Sequence, residues 1–334
     1  MSSGVPSTDR PDGWGGGVGS IMNNVAVSQP AARAGEGVSV IVRTACLEAR
    51  RAGLERALES IFSQPVPVEP IIVVNGTTFS PKLFDDLSGR PELKVAYMEK
   101  AGLPGAMRLG RSLVTCPFFS FLDDDDIYLP GCLARRLDAI QDADVLVTSG
   151  FGTAGQLYSL DPDTVNADPL RSLLKQNWLA SCAALYRSST ISVEYFGHLP
   201  DVYEWTALAF ELLAAGKKIH YVGDVTYRLF DTPGSVSKGF RVDAARVQQR
   251  MLERAASQFR RPDLSTEFRR QIREAAHCES ESHWANGDFR EAWRCHLNCL
   301  RMGGLRHITF IRHLVCASIG LGPSGRAKPG SCGT

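Results

Sequence analysis

The sequence has no run of about 18 uncharged apolar residues, so no stretch reads as a membrane-spanning helix. It has no excess of one charge. Lys and Arg number 37 against 36 Asp and Glu, a net charge of +1, which makes no electrostatic case for a nucleic-acid partner. Its nine cysteines lack a disulfide or C-x-x-C framework, and no apolar export segment opens the chain. Both absences point to a reducing cytoplasm rather than secretion. No G-x-G-x-x-G follows the first strand-like stretch, which argues against a nicotinamide-binding domain. Apolar residues are scarce from residue 1 to 37, where runs such as Gly13-Trp14-Gly15-Gly16-Gly17 occur, so this segment is expected to be a disordered leader.

At 334 residues the whole chain can bury a full core and suggests about two domains. Its most telling stretch is Phe118-Phe-Ser-Phe-Leu122, then Asp123-Asp124-Asp125-Asp126, then Ile127-Tyr-Leu-Pro130-Gly131. The first five residues read as a strand covered on both faces. Four adjacent carboxylates at its carboxyl end repel one another where water offsets the repulsion poorly. A turn that caps the next helix accounts for one Asp or two, but not four. A divalent cation accounts for them, because Mg²⁺ and Mn²⁺ prefer oxygen ligands and bridge to phosphates.

Upstream, Val38–Val42 is a β-branched strand that turns through Arg43–Cys46. Leu54, Ala57, Leu58, Ile61 and Phe62 share one helical stripe, which Pro65 and Pro67 stop. Ile71–Val74 is the second strand, ending at Asn75-Gly76, and Leu93–Tyr97 is the third. A Gly-rich turn then leads into a helix over roughly 106–114. This alternation predicts an α/β fold with a mostly parallel sheet flanked by helices. Ligands in such sheets bind beyond the carboxyl ends of the strands. That rule brings Thr44, Asn75 and Asp123–Asp126 to one crevice.

A rival reading starts from Gly105-Ala-Met-Arg-Leu-Gly110-Arg111-Ser112. It is a Walker A pattern with Arg in place of Lys, and it keeps a P-loop-like NTPase open as an alternative. Against it, the compact Lys charge is missing and the glycines lie several residues beyond the strand.

In order and spacing, these blocks resemble the family 2 inverting glycosyltransferases with the GT-A fold. The resemblance covers about residues 38–235. It rests on Val38–Thr44, on Leu54–Ile61 with Gln64, on Ile71–Val74, on Gly102-Leu103 with Ala106 and Arg108, and on Phe121–Pro130. It implies metal-dependent transfer of a sugar from a nucleotide-diphosphate donor to a hydroxyl of a glycan or lipid-linked acceptor. The setting it implies is synthesis of a cell-surface polysaccharide or glycoconjugate. Mg²⁺ or Mn²⁺ is the implied cofactor. By this resemblance Thr44 and Asn75 contact the nucleotide base. Asp123 and Asp125 are the D-x-D pair that meets nucleotide and metal, and Arg108, Asp124 and Arg228 border the nucleotide-sugar. Asp126 is expected to face the following helix. Asn75-Gly76 stands where the family carries Asp-Asp or Asp-Asn, and Phe230 where many relatives have His. These departures keep a non-catalytic nucleotide-sugar-binding protein open as a second alternative.

After Gly131 a helix to about Ile140 and a strand over Asp144–Thr148 are expected, then a polar loop from Phe151 to Pro169. Trp178 reads either as a sugar platform or as core. Asp201-Val-Tyr-Glu204-Trp205 opens a helix with Leu208, Leu212 and Leu213 on its buried side. An acid here is favourable against the helix dipole alone. The resemblance to a Glu-Asp-Trp motif gives Glu204 a further role as general base, with Asp201 the next candidate. Lys218–Val222 and Val225–Leu229 read as two strands, and Tyr227–Ser237 resembles the family's closing loop.

The resulting organisation is a leader over 1–37, a GT-A-like domain over 38–240, a helical C-terminal region over 241–321 and a disordered tail over 322–334. In the helical region Cys278, His283, Cys295, His296, Cys299, His307, His313 and Cys316 gather without the paired spacing of a structural zinc site. Residues 305–321 read as a basic amphipathic helix. It is suited either to packing on the catalytic domain or to a peripheral contact with the inner face of a membrane.

Overall fold

The computed structural model describes residues 37–231 and 243–318. The expected leader (apart from Gly37), the closing loop beyond Asp231 and the tail lie outside the described residues. The first strand, β1 (Val38–Thr44), is followed by helix α1 (Arg51–Phe62), β2 (Val68–Asn75), α2 (Pro81–Ser88) and β3 (Lys94–Met98). Helix α3 (Leu103–Ser112) then returns the chain to β4 (Phe118–Asp123) at the centre. Strands β1, β2, β3 and β4 are mutually parallel in the order β3-β2-β1-β4. Their core residues are almost unbroken Val, Ile and Phe, as burial on both faces demands.

The second half of the sheet is mixed. After the short β5 (Ile127–Tyr128), helix α4 (Cys132–Ile140) leads to β6 (Val145–Phe151) and its small antiparallel partner β7 (Leu157–Tyr158). Helices α5 (Pro162–Ala167) and α6 (Pro169–Lys175) precede β8 (Ala184–Arg187). Helix α7 (Glu204–Ala214) then feeds β9 (Ile219–Arg228). β8 lies antiparallel between β4 and β6, and β9 runs parallel to β6 and antiparallel to β5. The strand order reverses at β1, whose first crossover goes to one side and whose neighbour β4 lies on the other. The carboxyl ends of β1 and β4 therefore border the crevice.

Three expectations are corrected here. The 105–112 glycine pattern is not a phosphate loop, because those residues lie within α3. Gly110 is there for packing: a Cβ would stand 2.4 Å from Ile41 Cγ2 and 3.3 Å from Val73 Cγ2. That contact lays α3 directly on the sheet and removes the structural basis of the NTPase alternative. The polar 151–169 segment holds β7 and α5, with α5 capped by Asp161. The two strands expected over Lys218–Leu229 are one, β9 (Ile219–Arg228), with a register irregularity. Helix α2 was also missed, although Ser80 caps it through the Leu83 amide (3.2 Å) and Pro81 starts it.

The C-terminal helices α8 (Ala244–Phe259), α9 (Ser265–Ala285) and α10 (Phe289–Arg301) pack on one another in sequence. Leu252, Ala255, Leu264, Phe268 and Ile272 join the same core cluster as the sheet. Arg254 reaches Glu211 of α7 at 2.9 Å and Arg261 reaches Asp168 at 2.8 Å. The expected single helix over 305–321 is instead a 3₁₀ turn, Leu305–Phe310, followed by α11 (Ile311–Ser318). Among the described residues no helix is long and apolar enough to cross a membrane.

Candidate active site

Parallel pairing sets Arg43 of β1 beside Asp123 of β4, and the two form an ion pair. Arg43 is almost wholly buried, with its guanidinium 5.2 Å from the centre of the Trp205 ring. Its Nη1 lies 3.9 Å from Glu204 Oε1, so one guanidinium joins the end of β4 to the first turn of α7. Burial works against the Arg43 cation. The Asp123 and Glu204 carboxylates outweigh that and raise its pKa above the ordinary value. Burial pushes the Glu204 carboxyl up, against the opposing pull of Arg43, so it is a stronger base than an ordinary glutamate. Trp205 packs edge-on against Phe121 of β4 at 5.3 Å and so fixes the start of α7 against the sheet.

The acidic turn is held by α1 and the segment before it. Thr44 Oγ1 donates to Asp124 Oδ2 (2.6 Å), and Arg50 donates to Asp124 Oδ1 (2.5 Å) and reaches Asp125 Oδ2 (2.9 Å). Arg56 donates to the Asp125 carbonyl (3.0 Å) and lies 4.3 Å from the centre of the Phe230 ring. Gly53 permits this approach, because a Cβ there would sit 3.1 Å from the Asp124 carbonyl oxygen. Burial, helped by the neighbouring carboxylates, raises Asp124 to about 6 against Arg50 and Thr44. Burial and Asp123 raise Asp126 to about 8.

Asp126 does not face the following helix. Its carboxylate accepts from the Phe230 amide (2.9 Å) and from the Cys182 thiol (3.3 Å), which ties the turn to the end of β9 and the segment before β8. The Phe230 position thus meets the acidic turn through its backbone, with no imidazole. Asp125, the expected metal ligand, turns toward Arg50. The ligand atoms of Asp123, Asp126 and Cys182 lie within 4.8 Å of one another.

The other expected residues divide. Asn75 stands at the end of β2; its Nδ2 donates to the Thr44 carbonyl (3.2 Å) and its Oδ1 accepts from the Gly102 amide (3.3 Å). It therefore fixes the floor of the crevice. Arg228 ends β9 opposite Ile127, one residue from the acidic run, and covers the Phe151 ring at 5.1 Å. Arg108 is exposed on α3, where its charge acts on Glu194 rather than on the acidic turn. Trp178 is core: it is 1% exposed and its Nε1 donates to the Pro169 carbonyl (2.9 Å).

Sequence reasoning missed Arg43, Arg50, Arg56 and Cys182. Arg43 carried a signal, as the lone charge in an otherwise apolar strand ahead of a four-carboxylate run. Four carboxylates, Asp123, Asp124, Asp125 and Glu204, pair with only two guanidiniums, those of Arg43 and Arg50, so a negative excess remains. Among the described residues the buried Arg43 Nε and Nη1 and the Arg50 Nε have no hydrogen-bond partner. An excess of carboxylate beside unsatisfied cationic donors fits a divalent cation carrying a phosphate group.

Residues 40–179 match the family described as "Glycosyl transferase family 2". The fold is also similar to that of S. aureus TarS residues 1–349. Against its complex with UDP-GlcNAc the TM-score is 0.57 at 16% identity, covering 85% of this chain and 88% of that one. Against its complex with UDP the TM-score is 0.56 at 15% identity, covering 85% and 87%. No curated protein sequence matches the chain.

Proposed function

We propose that this protein is a metal-dependent inverting glycosyltransferase in which Glu204 is the general base. The observation that carries the proposal is the desolvated Glu204 carboxylate, joined through Arg43 to Asp123 of the acidic turn. Glu204 takes the proton from an acceptor hydroxyl as that oxygen attacks the anomeric carbon. The bond to the diphosphate oxygen breaks on the opposite face, and the electron pair leaves with the diphosphate. Asp123, together with Asp125 or Asp126, would hold Mg²⁺ or Mn²⁺, which when bound offsets charge on the departing diphosphate. Thr44, Asn75, Asp124 and Arg228 border the donor, and Arg108 comes in only if α3 and the donor meet at its exposed face. TarS has been crystallised with UDP-GlcNAc, which makes a UDP-linked sugar the first donor to try.

The catalytic unit we propose spans 38–240, with the helical region 241–321 docked on it. The acceptor is a glycan or lipid-linked hydroxyl in polysaccharide or glycoconjugate synthesis on the cytoplasmic face of the membrane. Leu305, Ile308 and Val315 support that placement, being 65%, 51% and 43% exposed. So does the absence of any Asp or Glu from 297 to 316, where Arg301, Arg306 and Arg312 occur.

The test is release of sugar from UDP-sugars with and without Mn²⁺. Glu204→Gln keeps the shape and removes the basicity, so turnover falls by about 10²–10⁴-fold with donor affinity unchanged. Near-normal turnover in this variant would place the base elsewhere, with Asp201 next. Donor binding without turnover in the wild type would instead favour the non-catalytic reading.

A further inference from the structure

The acidic turn of the proposed metal site has a neighbour that carboxylate chemistry does not require. Cys182 lies in the segment leading into β8, is wholly buried, and points its Sγ at Asp126 Oδ2 from 3.3 Å. A hydrogen bond also links the sulfur to the Asp123 backbone, and Ser181 Oγ is 3.3 Å away. Donors on one ion at about 2.0–2.3 Å stand no more than about 4.6 Å apart. The oxygens of Asp123 and Asp126 and the Cys182 sulfur lie within 4.8 Å of one another, so a small closure brings all three onto one ion.

A second observation marks the same place. Tyr227 of β9 is fully buried, its hydroxyl has no hydrogen-bond partner among the described residues, and it lies within electrostatic reach of the Cys182 sulfur. A buried unsatisfied phenol is costly. A metal-bound thiolate beside it would give the hydroxyl an acceptor, and such outer hydrogen bonds tune metal thiolates.

We propose that the cation of this site is bound by a mixed oxygen and sulfur set, Asp123, Asp126 and Cys182, rather than by carboxylates alone. The inference rests on the metal-site reading above and adds a ligand type that the acidic run does not predict. Its consequence is selectivity. Thiolate favours softer ions, so Co²⁺ and Cd²⁺ bind more tightly than Mg²⁺, which takes oxygen. On binding, the thiol proton leaves to solvent and the sulfur donates its electron pair to the ion, with no change in oxidation state.

The experiment is titration of the full chain with Co²⁺ in the presence of UDP, followed by near-ultraviolet absorption and by calorimetry. The expected result is a sulfur-to-cobalt charge-transfer band that saturates with the calorimetric binding. Cys182→Ser removes that band, weakens Cd²⁺ by about tenfold or more, and leaves Mg²⁺ affinity within about twofold. Cys182→Ala, checked for folding by circular dichroism, gives the same loss if the serine variant is unstable. Cobalt that binds without the band, or a band that survives both variants, overturns the thiol ligand and leaves the carboxylate site standing. Absence of any divalent-cation binding to the wild type overturns both.

Discussion

Removing the charge of Arg43 tests the link between the acidic turn and Glu204. Arg43→Met keeps most of the buried stem and deletes the guanidinium that pairs with Asp123 and stands 3.9 Å from Glu204. Coulomb attraction over that distance is about 1 kcal/mol in a water-like medium and about 4 kcal/mol at an effective dielectric constant near 20. Glu204 is already held above the ordinary glutamate value by burial, and Arg43 is the largest opposing influence. Without it the carboxyl rises further and keeps its proton to higher pH. The acid limb of the pH–rate profile therefore moves to the alkaline side. On that limb the Mn²⁺-dependent release of sugar from a UDP-sugar falls by between about 5-fold and about 10³-fold, at one factor of ten per 1.4 kcal/mol. Arg43→Lys restores a charge and recovers part of the shift. Deleting one partner of a buried pair costs stability, about 3 kcal/mol at this partly open site, so the assay is run below the melting point of the variant. An unmoved acid limb in the folded Met variant would mean that either the two groups are uncoupled or Glu204 does not take the proton.

Asp126→Asn tests the electrostatics of the turn without metal. The native carboxyl is raised from 3.8 to about 8, so the folded state holds a proton that the unfolded chain releases. Its stabilising contribution is full below 3.8 and is lost as pH rises toward about 8. Thermal melts in chelator should fall across that window in the wild type and less so in the Asn variant; equal slopes would contradict the assignment. Gly110→Ala drives a Cβ against Ile41 and should cost about 1–3 kcal/mol by overpacking, read as a lowered urea midpoint, whereas a neutral result would mean that α3 does not lie on the sheet as described. Leu305→Glu with Ile308→Glu should abolish co-sedimentation with vesicles containing anionic lipid and leave UDP-sugar turnover intact. Unaltered sedimentation would remove the membrane role of this face.

The sequence by itself determined the sheet that carries the site. Val38–Val42, Ile71–Val74 and Phe118–Leu122 are strands because burial on both faces leaves an almost continuous β-branched or aromatic run, a local signal that reads without partners. It also determined where the acids cluster, since Asp123–Asp126 are contiguous. Glu204 was legible only as an acid at a helix start, given a further role by resemblance. The structure decided what faces those acids. Arg43, Cys182 and Phe230 come to them from three separate strands or strand approaches, through pairings more than 50 residues apart in the chain that no local pattern encodes. It also decided that Gly105 lies inside the helix expected from 106 onward, and that Gly110 is there for packing. A glycine needed for close packing and one needed to wrap a phosphate look alike until the opposing surface, here Ile41 and Val73, is in place.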